Sequence, residues 1–450
     1  METDKTCRRD FPAEEFVARR SRIYEEIGDD AHALVASAPP PRGFVVFQQS
    51  KQFVYCCGLE TPQAYLLMDG GTQRSALYLH PRGKTALEEG APLGLEDADR
   101  VRAVTGVEAV YPVARLAEHL AEVRYLYTPF APAEVRGACR DELVEANAAI
   151  ARDPWDGRLS LEDHRIGLLR SRYPHLRVLD LTPILDELRA LKSPREVAVM
   201  RRAGHLCARA VRGAMRVTRP GLVERELGAL ARMIYAMAGA EDEGYRPIIA
   251  TGANIWYGHY FRNDTALKAG DWVLMDVAPE CSHYTSDIGR MWPVSGTYRP
   301  WQRELYGYIV KYHQVLLSTL RPGVTPDAVM DEAAEVMRDV WDGWAFSKDV
   351  YREGARRTLA YRGHLSHPVG LVVHDDGEYD GRPLTPGTVF AVDPQMWIPE
   401  EKLYIRVEDT VVVTEDGIEV LTEGAPLALD DVEALMAGEP QTLPYWQGGE

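Results

Sequence analysis

The sequence predicts an α/β protein of two domains, the second of which is internally duplicated. The chain has 450 residues, more than one hydrophobic core usually serves. Strand-like and helix-like stretches alternate along it, which is typical of α/β folds. In the second half a long helix, an Arg-Pro-Gly tripeptide and a second amphipathic helix occur twice, with the tripeptides at 219–221 and 321–323. These three observations lead to the prediction, and each element is considered in turn.

The composition is that of a globular protein, and the charge argues against some classes of binding partner. Hydrophobic residues make up 46% and charged residues 26%. No run of about 18 apolar residues could cross a membrane. The net charge of −17 argues against nucleic acid or an anionic membrane as the main partner. Six scattered cysteines without metal-type spacing, and an N-terminus without an apolar signal, favour a cytoplasmic location.

The first 150 residues alternate predicted strands and helices. The stretches "GFVVFQ", "AYLLMDGG" and "SALYLHPRG" are typical of strands, and the last two are joined by a Gly-containing turn. The stretch "ARLAEHLAEV" carries apolar residues on one helical face. A polar helical stretch from 140 to about 174, broken at "RDPWDGR", is interpreted as a connection between domains. We predict an N-terminal domain at 1–175, a second domain at 188–425 and a C-terminal tail at 426–450.

The second domain is predicted to begin with a capped helix in "KSPREVAVMRRAGHLCARAVRGAM". Ser193 is a candidate N-cap, Pro194 suits the first helical position, and Glu196 can complete a capping box. This helix should end before the first Arg-Pro-Gly. A half with two helices covers only one face of its sheet, so two halves joined in one larger sheet are the natural arrangement. The alternative is that Arg-Pro-Gly recurs by chance, as a common helix stop.

Two aspartates in "LMDVAPECSHYTSDIGRM" raise a question of charge. Asp276 lies in an apolar run, where an ionised carboxylate needs a partner, and Asp287 follows a turn. If the turn centres on Cys281 and Ser282, the two aspartates face each other with Cβ atoms about 5 Å apart. Such a pair is destabilising unless a cation lies between the carboxylates or one of them is protonated. The alternative is two unrelated aspartates, one at a strand end and one in a turn.

Further candidate ligands follow downstream. The stretch "GHLSHPVGLVVHDDG" supplies His367 and His374. Asp393 in "VFAVDPQMWI" and Glu408 in "LYIRVEDTVVV" lie in apolar runs, and Arg406 lies two residues before Glu408, hence on the same face of a strand. Four carboxylates and one imidazole suit Mn²⁺ or a similar divalent ion better than a thiolate-type zinc site. They also suit two ions that share bridging carboxylates.

From about 189 to 419 the sequence resembles the pita-bread metallohydrolases, the family of aminopeptidase P, prolidase and creatinase-like proteins. The matching pieces, in order, are "KSPREVAVMRRA", "RPGLVERELGA", "GYRPIIATGANIWYGHY", "VLMDVAPECSHYTSDIGR", "HLSHPVGLVVHDDG" and "IRVEDTVVV". The first part resembles the aminopeptidase P N-terminal domain through "FQQSKQFVYCCGLETPQAYLLMDGG". The resemblance implies a creatinase-like α/β domain followed by a pita-bread domain with an internally duplicated half.

The same resemblance implies a dinuclear metal-dependent peptidase of aminopeptidase P or prolidase type. It would cleave Xaa-Pro bonds with a hydroxide held between the two ions. The implied metal ligands are Asp276, Asp287, His367, Asp393 and Glu408. His259 and His374 match family histidines that contact or orient the substrate, and Arg406 matches an arginine that supports the metal carboxylates. For His259, His367 and His374, a purely structural role is the alternative interpretation.

The resemblance also leads to expectations about the metal and the assembly. Mn²⁺ is the expected ion, with Co²⁺, Zn²⁺ or Fe²⁺ as alternatives. A peptide or another small molecule is the expected substrate. A homodimer or larger homo-oligomer is expected because family members generally associate. Trp301, Trp341 and Trp344, which the motifs do not explain, could serve such an interface or could belong to the core.

Three departures from the family pattern lie around the predicted site. Asp393, within "DPQ", stands where the family has Glu within "EPG", so the arm is one carbon shorter. Tyr404 stands where many members have Gly, and His364 and His367 are three residues apart instead of four. These changes favour an altered substrate or metal preference. A non-peptidase hydrolase or lyase of a small molecule, and a binding protein without activity, therefore stay open as alternatives.

Overall fold

The chain divides after Arg189 into two units, Met1–Arg189 and Ala190–Glu450, in a computed structural model. The structure describes residues 10–83, 93–363 and 365–438. His364 and residues 439–450 of the predicted C-terminal tail therefore lie outside the described residues. Within the described residues, no helix combines the length and the apolar character needed to span a membrane.

The first unit is built on a mixed six-stranded sheet. Its strands are β1 (Ala31–Ala36), β2 (Tyr65–Asp69), β3 (Arg74–Leu79), β4 (Ala109–Pro112), β5 (Tyr125–Thr128) and β6 (Arg177–Asp180). They lie in the order β4-β3-β2-β1-β5-β6, where β1–β2 and β2–β3 are antiparallel and the other pairs are parallel. Its helices are α1 (Ala13–Ile27), α2 (Lys51–Cys57), α3 (Ala98–Thr105), α4 (Leu116–Leu120), α5 (Arg140–Arg152), α6 (Leu161–Arg172) and α7 (Thr182–Ala190).

One predicted strand of this unit is wrong, whereas the hairpin that follows it is confirmed. The stretch "GFVVFQ" forms bends and coil, and Phe44, Val45 and Val46 are exposed. Three prolines precede it and donate no backbone hydrogen bond, and Gly43 has a φ of 105° that turns the chain. β1 forms earlier in the sequence instead. The predicted β2–β3 pair is antiparallel over five residue pairs, as expected from the Gly-containing turn.

The second unit contains a six-stranded antiparallel sheet. Its strands are β8 (Ile248–Thr251), β9 (Trp272–Asp276), β11 (Ile288–Pro293), β12 (Val389–Val392), β15 (Glu408–Val413) and β16 (Ile418–Val420). They lie in the order β12-β15-β11-β9-β8, and β16 pairs with β15. The unit also has two antiparallel two-stranded ribbons. One pairs β7 (Asp242–Glu243) with β10 (Pro279–Glu280), and the other pairs β13 (Gln395–Ile398) with β14 (Leu403–Arg406).

The helices of this unit confirm the predicted helix start and end. They are α8 (Pro194–Val217), α9 (Glu224–Met237), α10 (Pro300–Thr319), α11 (Pro326–Gly343), α12 (Asp349–Ala360) and α13 (Leu429–Met436). The Ser193 side chain accepts from the Glu196 backbone N–H, and the Glu196 side chain closes the capping box. α8 ends at Val217, before the first Arg-Pro-Gly.

The two Arg-Pro-Gly connections have closely matching geometry. Residues 218–223 join α8 to α9, and residues 320–325 join α10 to α11. Gly221 has a φ of 94° and donates to the Leu267 carbonyl at 2.9 Å, and Gly323 has a φ of 82° and donates to the Leu384 carbonyl at 2.8 Å. Both connections thus use a glycine in a conformation that other residues rarely adopt. This correspondence agrees with an internal duplication, which itself stays a prediction.

Candidate metal centre

The ends of four neighbouring strands bring four carboxylates together in the second unit. Asp276 ends β9 and Glu408 begins β15, while Asp287 directly precedes β11 and Asp393 directly follows β12. Because β9, β11, β15 and β12 are adjacent in the sheet, these strand ends meet. All four side chains are buried, with at most 6% of each residue exposed. The sheet therefore gathers acidic groups that lie far apart in sequence.

The predicted register of the β9–β11 hairpin is wrong by two residues. Asp276 pairs with Gly289 and not with Asp287. The reason is the turn, which centres on Ser282 and His283, whose φ angles are 47° and 68°. Two consecutive residues with positive φ are the requirement of a tight hairpin turn whose twist matches its strands. Asp287 therefore lies diagonal to Asp276, on the same face of the sheet.

Gly289 allows a third carboxylate to reach this face. It pairs with Glu408 on its other side as well as with Asp276. A Cβ atom at this position would lie 3.1 Å from Cβ and 3.2 Å from Oε2 of Glu408. A side chain at position 289 would therefore push Glu408 away from the two aspartates.

Asp287, His367 and Glu408 form a group that could hold a metal ion. Their ligand atoms all lie within 4.8 Å of one another. His367 Nε2 is 3.5 Å from Asp287 Oδ2 and 3.4 Å from Glu408 Oε1. His367 Nδ1 lies 3.2 Å from the Pro368 carbonyl oxygen, which can only accept. A proton on Nδ1 therefore leaves the Nε2 lone pair directed at the two carboxylates.

Arg406 connects the remaining two aspartates to this group. Its Nη1 donates to Asp276 Oδ2 at 2.7 Å, and its Nη2 donates to Asp393 Oδ2 at 2.8 Å and to Glu408 Oε2. Its Nε donates to Asp393 Oδ1 at 3.1 Å, so Asp393 is held in a two-bond pair. Gln395 Nε2 also donates to Asp393 Oδ2. Asp393 thus lies next to the group but is held by Arg406 and Gln395.

Tyr245 is a site residue that the sequence reasoning missed. Its hydroxyl lies within hydrogen-bonding distance of both Asp276 Oδ1 and Asp287 Oδ1. Burial and the charges of Asp276 and Asp287 raise the pKa of Tyr245 well above its usual value, so the phenol is neutral. The hydroxyl has a single proton, so it can donate to only one of the two carboxylates at a time. Tyr245 lies within the matching piece "GYRPIIATGANIWYGHY", but nothing in its spacing marks it as a partner of aspartates.

The centre has more negative charge than its protein partners neutralise. Among the described residues, Arg406 is the only guanidinium or ammonium group that pairs with these carboxylates, and it reaches three of the four, Asp276, Asp393 and Glu408. Burial and the charges of Glu408 and Asp276 raise the pKa of Asp287 well above its usual value. Burial, opposed by Arg406 and reinforced by Asp393, raises the pKa of Glu408 to about 7. Glu408 Oε1 is buried and accepts no hydrogen bond from any described residue.

These observations fit a divalent metal centre. A cation next to Glu408 Oε1 and His367 Nε2 would give that oxygen a partner and would offset the surplus charge. Burial lowers the pKa of His367, but the Glu408 carboxylate, the Pro368 carbonyl and Asp393 together raise it by more, so protonation of this imidazole is the competing way to offset the charge. Oxygen ligands with one imidazole are the donor set that Mn²⁺ and similar ions accept.

The two other predicted histidines lie beside the centre. The ring centroids of His367 and His374 are 4.3 Å apart, and those of His374 and His259 are 6.0 Å apart. His259 is exposed and stacks on Phe261 at 6.0 Å. The three rings therefore form a row from the buried carboxylates to the surface of the second unit.

Known sequences place this chain in a family. Residues 198–415 match the sequence profile of metallopeptidase family M24, and residues 16–126 match that of the aminopeptidase P N-terminal domain. The Xaa-Pro aminopeptidase of Escherichia coli is 30% identical over 449 residues, covering 94% of this chain and 97% of that protein. This chain therefore belongs to metallopeptidase family M24 and carries an N-terminal domain of the aminopeptidase P type.

Solved structures agree with this assignment. Escherichia coli aminopeptidase P with the inhibitor Pro-Leu superposes with a TM-score of 0.76 at 28% identity, covering 95% of this chain and 98% of that one. An aminopeptidase of Pseudomonas aeruginosa gives a TM-score of 0.76 at 27% identity with the same coverage. These comparisons confirm the predicted family. They also confirm the predicted α/β fold, with an N-terminal domain of the aminopeptidase P type followed by a metallopeptidase domain.

Proposed function

We propose that this protein is a metal-dependent Xaa-Pro aminopeptidase whose reaction centre is the buried acidic group of the second unit. The observation that carries the proposal is the surplus of buried carboxylates around Glu408 Oε1, which lies 3.4 Å from His367 Nε2 and accepts no hydrogen bond from residues 10–83, 93–363 and 365–438. Relatives that bear the name Xaa-Pro aminopeptidase match nearly the whole chain, which supports this substrate class.

We propose that two divalent ions, most simply Mn²⁺, are held by the predicted ligand set. The ligands are Asp276, Asp287, His367, Asp393 and Glu408. When bound, such ions supply Lewis-acid polarisation of the scissile carbonyl and activation of the attacking water. Four ionised carboxylates (−4) and one arginine (+1) carry a net charge of −3, which two divalent ions and one hydroxide ion would balance.

The chain's own residues then hold and orient the reactants. Arg406 fixes three of the carboxylates by charge-assisted hydrogen bonds. Tyr245 donates its proton to one of the two aspartates and keeps both facing the centre. His374, next to His367, is placed to donate to the carbonyl oxygen of the scissile bond as it gains negative charge. His259, at the exposed end of the row, is placed to contact the peptide beyond that bond.

The expected homo-oligomer stays a prediction. Trp301 packs against Trp272 with ring centroids 4.9 Å apart. Trp341 Nε1 donates to the Arg352 carbonyl, and Trp344 Nε1 donates to the Glu304 carbonyl. Because these three tryptophans have partners within the second unit, they give no support to an interface between subunits.

The proposal is tested by metal reconstitution and a peptide panel. The protein is stripped with a chelator, the stoichiometry of bound Mn²⁺ is measured, and Ala-Pro-Ala is compared with Ala-Ala-Ala. We expect about two ions per chain and metal-dependent release of alanine from the proline peptide alone. Metal binding without cleavage of any Xaa-Pro peptide would favour the non-peptidase alternative. Absence of metal binding would favour a binding protein.

A further inference from the structure

His367 and His374 lie on one short segment of the second unit, residues 367–375, which we call the histidine loop. His367 begins the loop, and His374 lies next to its end. The Val369 N–H donates to the Val389 carbonyl at 3.1 Å. Because Val389 begins β12, this bond attaches the first half of the loop to the sheet.

The second half of the histidine loop folds back on the first. The Asp375 N–H donates to the Pro368 carbonyl at 3.0 Å, and the Gly370 N–H donates to the Val372 carbonyl at 3.1 Å. Both bonds lie within the loop, so they fix its shape. Its place relative to the carboxylates needs contacts with other parts of the unit.

One such contact is a buried ion pair. Asp375 Oδ2 lies 3.2 Å from Lys192 Nζ, and each side chain is 1% exposed. Separating the two groups would leave a buried charge without its partner, which is strongly unfavourable. The pair is neutral as a whole, so Asp375 adds nothing to the surplus negative charge of the metal centre. Its role is therefore different from that of the four carboxylates.

The ion pair packs directly against Gly370. A Cβ atom at this position would overlap Asp375 Oδ2 and would lie 2.9 Å from Lys192 Cε, so a side chain there would displace the pair. The Gly370 carbonyl accepts from the Thr285 N–H at 2.9 Å, two residues before Asp287. The pair thus lies against the part of the loop that is bonded to the segment carrying Asp287.

Lys192 is itself attached to the strands that carry candidate ligands. Its backbone N–H donates to the Gly387 carbonyl at 2.9 Å, and the Gly387 N–H donates to the carbonyl of Val413, the last residue of β15, at 2.9 Å. Gly387 lies two residues before β12, and Lys192 directly precedes Ser193, the N-cap of α8. Lys192 therefore lies where one helix and two strands meet, and those strands carry carboxylates at their other ends.

We propose that Lys192 is a positioning residue for the reaction: through its ion pair with Asp375, it holds the histidine loop so that His367 and His374 keep their places beside the carboxylates. The inference rests on the proposed function, in which His367 binds metal and His374 donates to the scissile carbonyl oxygen. Such groups must be held within about 0.5 Å of the productive geometry. Loss of the ion pair should therefore affect both roles.

Two single variants separate positioning from a simple effect of charge. Lys192→Met removes a cation and Asp375→Asn removes an anion, so a purely electrostatic effect on Mn²⁺ binding would have opposite signs in the two variants. If the pair positions His367, both variants should bind Mn²⁺ about tenfold or more weakly in a calorimetric titration of the full-length protein. The matched control is Arg201→Met, which removes a cation of α8 whose partner is Glu419 of β16 and should keep the wild-type affinity. Effects of opposite sign in the two single variants would overturn the proposal.

The double variant Lys192→Met/Asp375→Asn separates positioning from stability. It leaves neither charge unpaired, so it should unfold at a urea concentration close to that of the wild type, even where a single variant fails to fold. It still lacks the ion pair, so its Mn²⁺ affinity should stay about tenfold or more below that of the wild type. In the metal-free protein, amide hydrogen exchange in the histidine loop should be faster and exchange in β15 unchanged. Wild-type affinity and exchange in the double variant would overturn the proposal.

Cleavage of Ala-Pro-Ala at saturating Mn²⁺ tests the placing of His374. In the double variant kcat should fall about tenfold or more with KM nearly unchanged, because His374 acts on charge that develops in the transition state. A wild-type kcat, or a change confined to KM, would overturn this part of the proposal. If the metal-loaded wild type cleaved no Xaa-Pro peptide, the proposed function would fail, whereas Mn²⁺ affinity and hydrogen exchange would still decide whether Lys192 positions His367.

Discussion

Glu408 and Asp409 are consecutive residues of β15, and both are buried, yet their electrostatic surroundings are opposite. Glu408 lies among three other carboxylates, and one guanidinium group, that of Arg406, pairs with Glu408 and with two of them, Asp276 and Asp393. Asp409 points to the other face of the sheet and receives two bonds from Arg290 Nη2, at 2.7 and 2.9 Å, and one from Thr422. His313 Nε2 lies 3.5 Å from Asp409 as well.

This difference shows that burial of a carboxylate does not by itself indicate a metal site. Asp409 is balanced by one arginine and completes a structural network, because Arg290 also donates to the carbonyls of Gly289 and Glu408. Glu408 has an oxygen that accepts no hydrogen bond from the described part of the chain, and its pKa is raised. The net charge on each face of the sheet, more than the depth of burial, distinguishes the candidate metal centre from the structural network around Asp409.

The largest effect is expected when a carboxylate of the Asp287–His367–Glu408 group is removed. Glu408→Ala or Asp287→Ala should abolish cleavage of Ala-Pro-Ala, and kcat/KM should fall by more than the roughly 10–100-fold that outer-shell changes cause. Bound Mn²⁺ should fall in the same variants, as measured by elemental analysis after dialysis. Near-normal turnover of either variant at saturating Mn²⁺ would contradict a dinuclear centre that uses these residues.

The next-largest effect is on the free energy of unfolding, and it should differ between variants of the neighbouring residues Asp409 and Glu408. Asp409→Asn removes the charge that balances buried Arg290, and this should lower the free energy of unfolding by about 3–5 kcal/mol. Glu408→Gln, a change of the same kind one residue earlier, removes one of several repelling charges. It should leave the metal-free protein as stable as the wild type or more so. Urea unfolding in a chelator measures both, and equal losses in the two variants would refute the comparison.

The pH dependence of the metal-free protein sharpens the same contrast. The pKa of Glu408 in the folded state is about 7, above its ordinary value of 4.5. Between these pH values the folded state therefore holds a proton that the unfolded chain has released. The contribution of Glu408 to the free energy of unfolding is fully present below pH 4.5 and is lost as the pH rises through 7. Unfolding free energies between pH 5 and 8 in a chelator should show this fall. Glu408→Gln should make this fall smaller, since Asp287 and His367, whose pKa values are also raised, keep part of it, and Asp409→Asn should leave its slope unchanged.

Features that depend on local chemistry could be predicted from the sequence. The Ser193 capping box, the helix ends at the Arg-Pro-Gly tripeptides and the β2–β3 hairpin each follow from a few neighbouring residues. Charged residues in apolar runs also indicated that Asp276 and Glu408 needed partners, and the structure brings both to Arg406. In these cases local sequence and tertiary structure favour the same answer.

Features set by distant contacts could not be predicted. The turn at Ser282 and His283 uses two non-glycine residues with positive φ, and Ser282 is held by a hydrogen bond to Glu241, 41 residues away. The stretch "GFVVFQ" has strand propensity but no partner strand. Tyr245 joins two aspartates that lie 31 and 42 residues further on. Propensity and spacing carry no information on such pairs.

The smallest effect is expected at Asp393, where the chain departs from its family. Its carboxylate is held by Arg406 and by Gln395, which stands where the family motif has glycine. Asp393→Glu adds about 1.5 Å of reach and brings the carboxylate against the Gln395 amide. The single variant should therefore lose one hydrogen bond, worth about 1 kcal/mol, and bind Mn²⁺ several-fold more weakly in a calorimetric titration.

Gln395→Gly then serves as the matched partner, because it removes the amide and restores the family pattern around the longer arm. The double variant Asp393→Glu/Gln395→Gly should recover wild-type Mn²⁺ affinity or exceed it, so the two changes should couple by more than the about 0.3–0.5 kcal/mol within which independent sites add. Additive effects would show that Gln395 does not position Asp393. Unchanged affinity for two ions in both Asp393→Glu and Asp393→Ala would show that this carboxylate is not a ligand, although it holds Arg406 in a two-bond pair.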